Sequence, residues 1–198
     1  MLIIGVTGGL GMGKSVSGTH LGNLGIPVID SDVLARQHTL PGSLGLEKII
    51  SRFGPEFLDS EGFLNRKKLA SHVFSNPDAL HELEAILHPM VSQSWRMEIG
   101  LLNESGQRFC VLLVPLLFEK GYQTDAHHTV AVGCSSRTQR LRLMNRGMSD
   151  VDISLRNAAQ WPINKKMAQA EFVVWNDGQI VVLQQQWSMI LKTLRIKE

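Results

Sequence analysis

This 198-residue chain is poor in cysteine (two) and in net charge (+2), and each scarcity removes a class of protein. Cys110 and Cys134 cannot make a disulfide framework and lack a CxxC spacing, so buried free thiols in a reducing cytosol are expected. Bulk charge is too small to argue for a nucleic-acid partner. Long apolar runs are missing as well: Val111 to Phe118 is broken by Pro115 and falls far short of the roughly 20 residues a spanning helix needs. The opening MLIIGVTGG has no basic flank and no small-residue cleavage site, so neither a signal peptide nor a membrane partner is expected. No single-sign charge block occurs, and 43% hydrophobic residues are ample for a core, which excludes disorder as the main state.

What is present is unevenly spread. Eight of the 18 glycines fall within the first 25 residues. Arg137 to Lys166 carries seven Lys/Arg and two Asp, a local +5 that leaves −3 on the rest of the chain. Leu2 to Val6 reads as a buried strand, a helix follows Lys14 and stops at Gly25, and Ile26 to Asp30 reads as a second strand. This β-α-β opening is the unit that builds parallel sheets. From about Val33 to Glu104 strand signals vanish, which predicts a helical insertion. Asn76-Pro77 starts one of its helices, with Leu80, Leu83 and Leu87 on one face, and Pro89 predicts its end near His88. Strands are expected again at Phe109 to Val114, Thr129 to Val132 and Phe172 to Val174. A helix over Ser136 to Arg146 would place Arg142 and Arg146 on one face, and Ser149 with Asp152 reads as a capping box. Ile180, Leu183, Trp187, Ile190/Leu191 and Leu194 form the stripe of a closing core helix.

Gly8-Gly9-Leu10-Gly11-Met12-Gly13-Lys14-Ser15 matches the phosphate-loop pattern G-x-x-x-x-G-K-[ST] at every fixed position. Glycines let the chain curl until successive N–H groups point inward at phosphate oxygens, and the next helix adds its positive end. Lys14 then reaches the β/γ-phosphates and the Ser15 hydroxyl ligates Mg²⁺. Nucleoside triphosphate binding follows. A GTPase would need N-K-x-D, but Met167 stands at the Asp position after Asn164-Lys165, and Asp59-Ser60-Glu61-Gly62 reads as a turn. A motor ATPase is disfavoured because Val111-Leu112-Leu113-Val114 ends at Pro115 with no carboxylate. A small-molecule kinase needs an acceptor-side carboxylate, and Asp30 and Asp32 stand at the end of the second strand, where open α/β sheets bind ligands. Two apart, they share a face if the strand continues, and Asp32 is the better candidate for the acceptor's proton. The alternative is that Asp30 or Ser31 caps a helix beginning near Val33. Arg140, Arg142 and Arg146, with Arg156, Lys165 and Lys166, supply cations suited to a lid over phosphates.

The start ITGG-x-G-x-G-K-S with VIDSD, then Leu87-His88-Pro89, then Val114-Pro115-Leu116-Leu117-Phe118-Glu119, closely resemble bacterial dephospho-coenzyme A kinases, from residue 2 to about 178. The Gln139, Arg142, Arg146, Gln160 and Lys166 spacing is similar as well. The resemblance implies transfer of the ATP γ-phosphoryl group to the ribose 3′-hydroxyl of dephospho-coenzyme A, the last step of coenzyme A synthesis. It implies an α/β three-layer sandwich of the phosphate-loop NTPase type: a five-stranded parallel sheet with a helical coenzyme-A-binding insertion and a helical lid. In this chain the core would be 1–35, 105–136 and 170–198, the acceptor domain 36–104 and the lid 137–169. Gly11 to Val16 would hold ATP phosphates, Asp32 would face the ribose hydroxyl, and Arg142 would belong to the lid. His88 would contact substrate, and Glu119 would hold lid arginines or metal-bound water. The chain departs from the family pattern at Leu113, where many members have Asp, at Glu171 for Asp, and at Trp175 for Asp. A shikimate-type kinase is the alternative small-metabolite kinase, disfavoured because no Gly-Gly pair follows Gly8-Gly9; a non-catalytic nucleotide-binding regulator would leave the HP and PLLFE segments unexplained.

Overall fold

In strand β1 (Leu2–Gly8) six of seven residues are buried, as a central strand covered on both faces requires. The computed structural model describes residues 1–196 and divides into two units: Met1–Asp30 with the chain from Leu101 onward, and Ser31–Gly100. In the first unit β1 leads to helix α1 (Lys14–Asn23) and strand β2 (Val28–Asp30). The second unit is helical, with α2 (Ser31–Gln37), α3 (Leu44–Phe53), α4 (Arg66–Phe74) and most of α5 (Pro77–Glu104). The chain then adds β3 (Phe109–Leu113), β4 (His128–Gly133), α6 (Ser136–Met144), α7 (Asp150–Ala158), α8 (Ile163–Gln169), β5 (Phe172–Trp175) and α9 (Ile180–Thr193) to the first unit.

The five strands form one parallel sheet in the order β2-β3-β1-β4-β5. Register levels their C-terminal ends, since Asp30 and Val6 both face Leu113 while Gly8 faces Val132. Against the sheet pack α1 and α9: Ile4, Val6, Val111, Leu113, Val130 and Val132 share a core with Leu21, Leu183, Trp187 and Leu191. The α9 stripe is thus core, except that Ile180 is 51% exposed. The helical unit has its own core around Ile49, Phe57, Leu69 and Val73, against which Leu80, Leu83 and Leu87 pack. Cys110 and Cys134 are buried free thiols, and burial pushes the Cys110 thiol up to about 11. Among the described residues no helix is long and apolar enough to cross a membrane.

Two local expectations need correction. Helix α5 does not stop at His88 but runs through Pro89 to Glu104. Proline removes the bond to the carbonyl four residues back. Here both Pro89 and Ala85 are exposed, so the freed carbonyl can turn to solvent, while Val91, Ser92 and Trp95 extend the buried side beyond it. Helix α6 ends at Met144, so Arg146 lies in the turn that follows, which Gly147 closes at φ 79°. The basic segment holds three helices, α6, α7 and α8, and α7 starts as expected, with Ser149 Oγ accepting from the Asp152 N–H at 3.1 Å.

Gly8 is required by strand packing rather than by loop curvature. A Cβ there would stand 2.5 Å from the Val132 carbonyl oxygen, a backbone atom that cannot yield without opening the β1–β4 ladder. Gly8→Ala is therefore expected to destabilise the fold by at least about 2 kcal/mol, the scale of an overpacked core. Urea unfolding checks this, with a lower midpoint at an unchanged slope as the expected result.

Candidate active site at the phosphate loop

Between β1 and α1 the chain turns through Gly11 at φ 71° and Gly13 at φ 111°, left-handed values that side chains rarely tolerate. Gly13 is also the N-cap of α1, which has no side-chain cap, so its first N–H groups remain available to an anion. The loop's carbonyls are tied from behind. Gln139 Nε2 donates to the Leu10 carbonyl at 2.8 Å, and Asn176 Nδ2 donates to that of Met12 at 2.9 Å. Gln139 is steadied by a reciprocal amide pair with Asn157, and the Asn176 N–H donates to the Gly133 carbonyl at 2.7 Å. Both supports are buried. They are the site residues whose roles are least visible in the sequence; the available signals are an Asn directly after a strand at the ligand edge and a Gln in the first turns of a helix after another.

Lys14 is buried and its Nζ lies 3.5 Å from Asp30 Oδ1. Ser15 and Val16 are exposed at the helix start. Beside the loop lies a cleft of about 390 Å³ whose lining includes Gly11, Gly13, Val16, Arg142, Arg146 and Asn176. Arg142 Nη1 is buried and receives no acceptor from the protein among the described residues. A buried donor without an acceptor is costly, and a phosphate oxygen in the cleft would satisfy it. Burial pushes the Cys134 thiol up while Arg142 pulls it down. Arg146 reaches the same cleft from the turn.

Arg140 does not join them. It forks onto Asp150, Nε to Oδ1 at 2.7 Å and Nη2 to Oδ2 at 2.6 Å, fastening α6 to α7 and holding the Asp150 carboxyl below its usual range. For Asp30 and Asp32 the sequence left two courses open, a continuing strand or a helix, and the chain takes the helix. The strand stops at Asp30 and α2 begins at Ser31, so Asp32 occupies the first turn of a helix, where a carboxylate complements the positive end. The two carboxylates are therefore not neighbours on one strand face. His88 sits in mid-helix within α5.

Glu119 meets no lid arginine among the described contacts. Its Oε1 accepts from the Trp161 N–H at 2.9 Å and pairs with Lys166 Nζ at 2.8 Å. Lys166, expected among the lid cations over the phosphates, is 0% exposed and also donates to the Pro115 carbonyl at 2.6 Å, which accepts from Thr7 Oγ1 at 2.8 Å. Burial pushes the Lys166 ammonium below its ordinary range, Glu119 opposes that shift, and the charge of Lys14 adds to it. Among the described residues no cluster of His, Cys, Asp and Glu could by itself cage a metal ion. His128 pairs instead with Glu171, Nδ1 to Oε2 at 2.7 Å. The Ser15 hydroxyl fits a metal carried mainly by a ligand's own phosphates.

Residues 2–181 match the family model described as Dephospho-CoA kinase. A Dephospho-CoA kinase of Bdellovibrio bacteriovorus is 38% identical over 191 residues, covering 96% of this chain and 95% of the relative. A crystal structure from Thermus thermophilus superimposes with a TM-score of 0.79 at 34% identity, covering 98% of this chain and 97% of the other. A dephospho-CoA kinase from Campylobacter jejuni gives a TM-score of 0.68 at 26% identity, over 97% and 96% of the two chains.

Removing a rear tie tests the loop's construction. Asn176→Ala leaves the Met12 carbonyl unpaired, and stability should fall by about 1–3 kcal/mol. The affinity for a nucleoside triphosphate, read by calorimetry on the folded variant, should fall by about tenfold or more, since each misaimed N–H contact of about 1.4 kcal/mol costs that factor.

Proposed function

The chain belongs to the dephospho-CoA kinase family, whose members are ATP-dependent kinases, and we propose that it moves the ATP γ-phosphoryl group to the ribose 3′-hydroxyl of dephospho-CoA. The products are CoA and ADP, which makes this the closing step of coenzyme A synthesis, carried out in the cytosol. The observation that carries this proposal is the glycine loop with Lys14 at the ligand edge of the sheet, in a chain matched by the family over residues 2–181.

The β- and γ-phosphates lie on the N–H groups of Gly11 to Val16, at the uncapped start of α1. Lys14 contacts the transferring group, and Ser15 holds magnesium carried on the triphosphate. When bound, that ion neutralises phosphate charge during transfer. Asp32 accepts the proton of the 3′-hydroxyl as its oxygen bonds to the γ-phosphorus and the bond to the bridging oxygen breaks, releasing ADP. Asp30 steadies Lys14. Arg142 and Arg146 bring guanidinium donors to the phosphates from the 137–169 segment, which acts as the lid, and Arg140 braces that segment from outside. Because little covalent chemistry falls to the protein, alignment and charge stabilisation carry the rate.

The acceptor falls to the helical unit, with His88 as one of its contacts. That unit contains a cavity of about 160 Å³ lined by aliphatic and aromatic side chains, with Thr39 and Arg66 as the polar members of its lining. Arg66 Nη2 donates to the Arg36 carbonyl at 3.2 Å and to Thr39 Oγ1 at 2.5 Å, which fixes a cation at the edge of the cavity. A long acceptor with an apolar arm and anionic groups suits this surrounding better than a small polar acid such as shikimate.

The direct test is ADP release from Mg-ATP with dephospho-CoA, shikimate, a nucleoside or no acceptor. Turnover with dephospho-CoA alone is expected, and turnover with another acceptor in its place would overturn the proposal. Asp32→Asn should leave ATP affinity intact and lower kcat about 100-fold or more, the scale of a lost general base. A collapse of ATP affinity with the acceptor's chemistry unchanged would make Asp32 a nucleotide residue.

A further inference from the structure

Lys166 and Glu119 form a deeply buried ion pair of the first unit, with side chains 0% and 9% exposed, and the roles assigned above use neither partner fully. Burying such a pair costs desolvation energy that an apolar pair of similar volume avoids, so it is weak as a device for stability alone. Its connections are local to the phosphate loop. The Lys166 ammonium joins Pro115, just beyond β3, to Glu119. The same Pro115 carbonyl receives Thr7, the penultimate residue of β1 before the loop. Trp161, from the turn before α8, supplies the second donor to Glu119 Oε1. One carboxylate oxygen is thus fixed from two directions.

The other oxygen is not. Glu119 Oε2 is buried and receives no donor from the protein among the described residues. A buried carboxylate oxygen left without a donor is unfavourable, and the substrates of this reaction limit what could serve. Phosphate oxygens are acceptors, so the triphosphate itself brings no donor. Beside the transferring phosphoryl group, away from the nucleotide's own ribose, the O–H donors are waters on its magnesium and the hydroxyl of the phosphoryl acceptor. Neighbouring strand ends are less suited to meet them. Leu113 fills the end of β3 with an apolar side chain packed in the core, and Asp30 is engaged with Lys14.

We propose that Lys166 is a positioning residue: its buried ammonium fixes Glu119 so that Oε2 accepts a hydrogen bond from an O–H group brought by the substrates. The source is a water on the nucleotide's magnesium or the acceptor's hydroxyl. This rests on the kinase function proposed above, although its first test needs only nucleotide and metal.

Calorimetry with a non-hydrolysable ATP analogue, with and without Mg²⁺, separates the outcomes for wild type, Glu119→Gln and the doubly neutral Lys166→Met/Glu119→Gln. Glutamine keeps the Oε1 contacts and puts an N–H donor where Oε2 was. Metal-free analogue should bind both variants within about twofold of wild type, while the gain on adding Mg²⁺ shrinks about 10- to 100-fold, the range of losses at outer-shell positions. If that gain is intact but dephospho-CoA affinity and kcat fall about tenfold or more, the acceptor's hydroxyl is the donor. The double variant removes the unpaired buried charge that destabilises Glu119→Gln alone. A pair that served only structure would be restored by it to wild-type metal response and turnover, whereas the defect is expected to persist. Wild-type metal gain, acceptor affinity and kcat in both variants would overturn the proposal. Failure of the wild type to phosphorylate dephospho-CoA would defeat the assigned reaction instead, leaving the metal arm decisive here.

Discussion

A loop that turns its N–H groups toward an anion must send its carbonyls somewhere else, and in this chain they go to two buried amides. Gln139 takes the Leu10 carbonyl and Asn176 takes that of Met12. Without these ties the carbonyls would be free to rotate inward and repel any anion brought to the loop. The ties also dictate what surrounds the loop: α6 must lie against it to deliver Gln139, so Gly11 has Leu143 where a Cβ would be, and β5 must end beside it to deliver Asn176, so Gly13 faces that side chain. Two of the motif's glycines are therefore required twice over, by their left-handed backbone and by the supports packed on them.

Charge is arranged around the loop in the same spirit. Lys14 has Asp30, Arg140 has Asp150 and Lys166 has Glu119. These pairs differ in worth. The Arg140–Asp150 fork is exposed and contributes little beyond joining two helices, whereas the Lys166–Glu119 pair is out of water and strongly directional. Arg142 has no carboxylate among these pairs, and its unpaired Nη1 is the group that a phosphate would complete.

Much of the fold could be read from the sequence because its signals were local. The glycine motif fixes its own backbone, the Ser149 cap needs only the next three residues, and the α9 stripe repeats at the helical period. The site's supports were harder to see because their partners are remote: Gln139 bonds across 129 positions and Asn176 across 164. Lys166 misled for a related reason, since a lysine in a basic run reads as one more lid cation until its remote carboxylate partner is found. The error at Pro89 came from applying a local rule where context prevailed. Proline spoiled one hydrogen bond on the wet side of a helix whose dry side continued, and of the two courses the sequence left open after Asp30, strand or helix, the chain takes the helix at once.

The central claim is that this loop, with Lys14 at its end, stabilises the phosphoryl group in flight rather than merely holding a nucleotide. Its most direct test is the single-turnover rate of γ-phosphoryl transfer in Lys14→Ala, with folding checked by unfolding midpoint. Loss of one electrostatic stabiliser predicts a fall of at least about 100-fold in rate with the midpoint preserved. A folded Lys14→Ala variant that transfers phosphate at the wild-type rate would contradict the account.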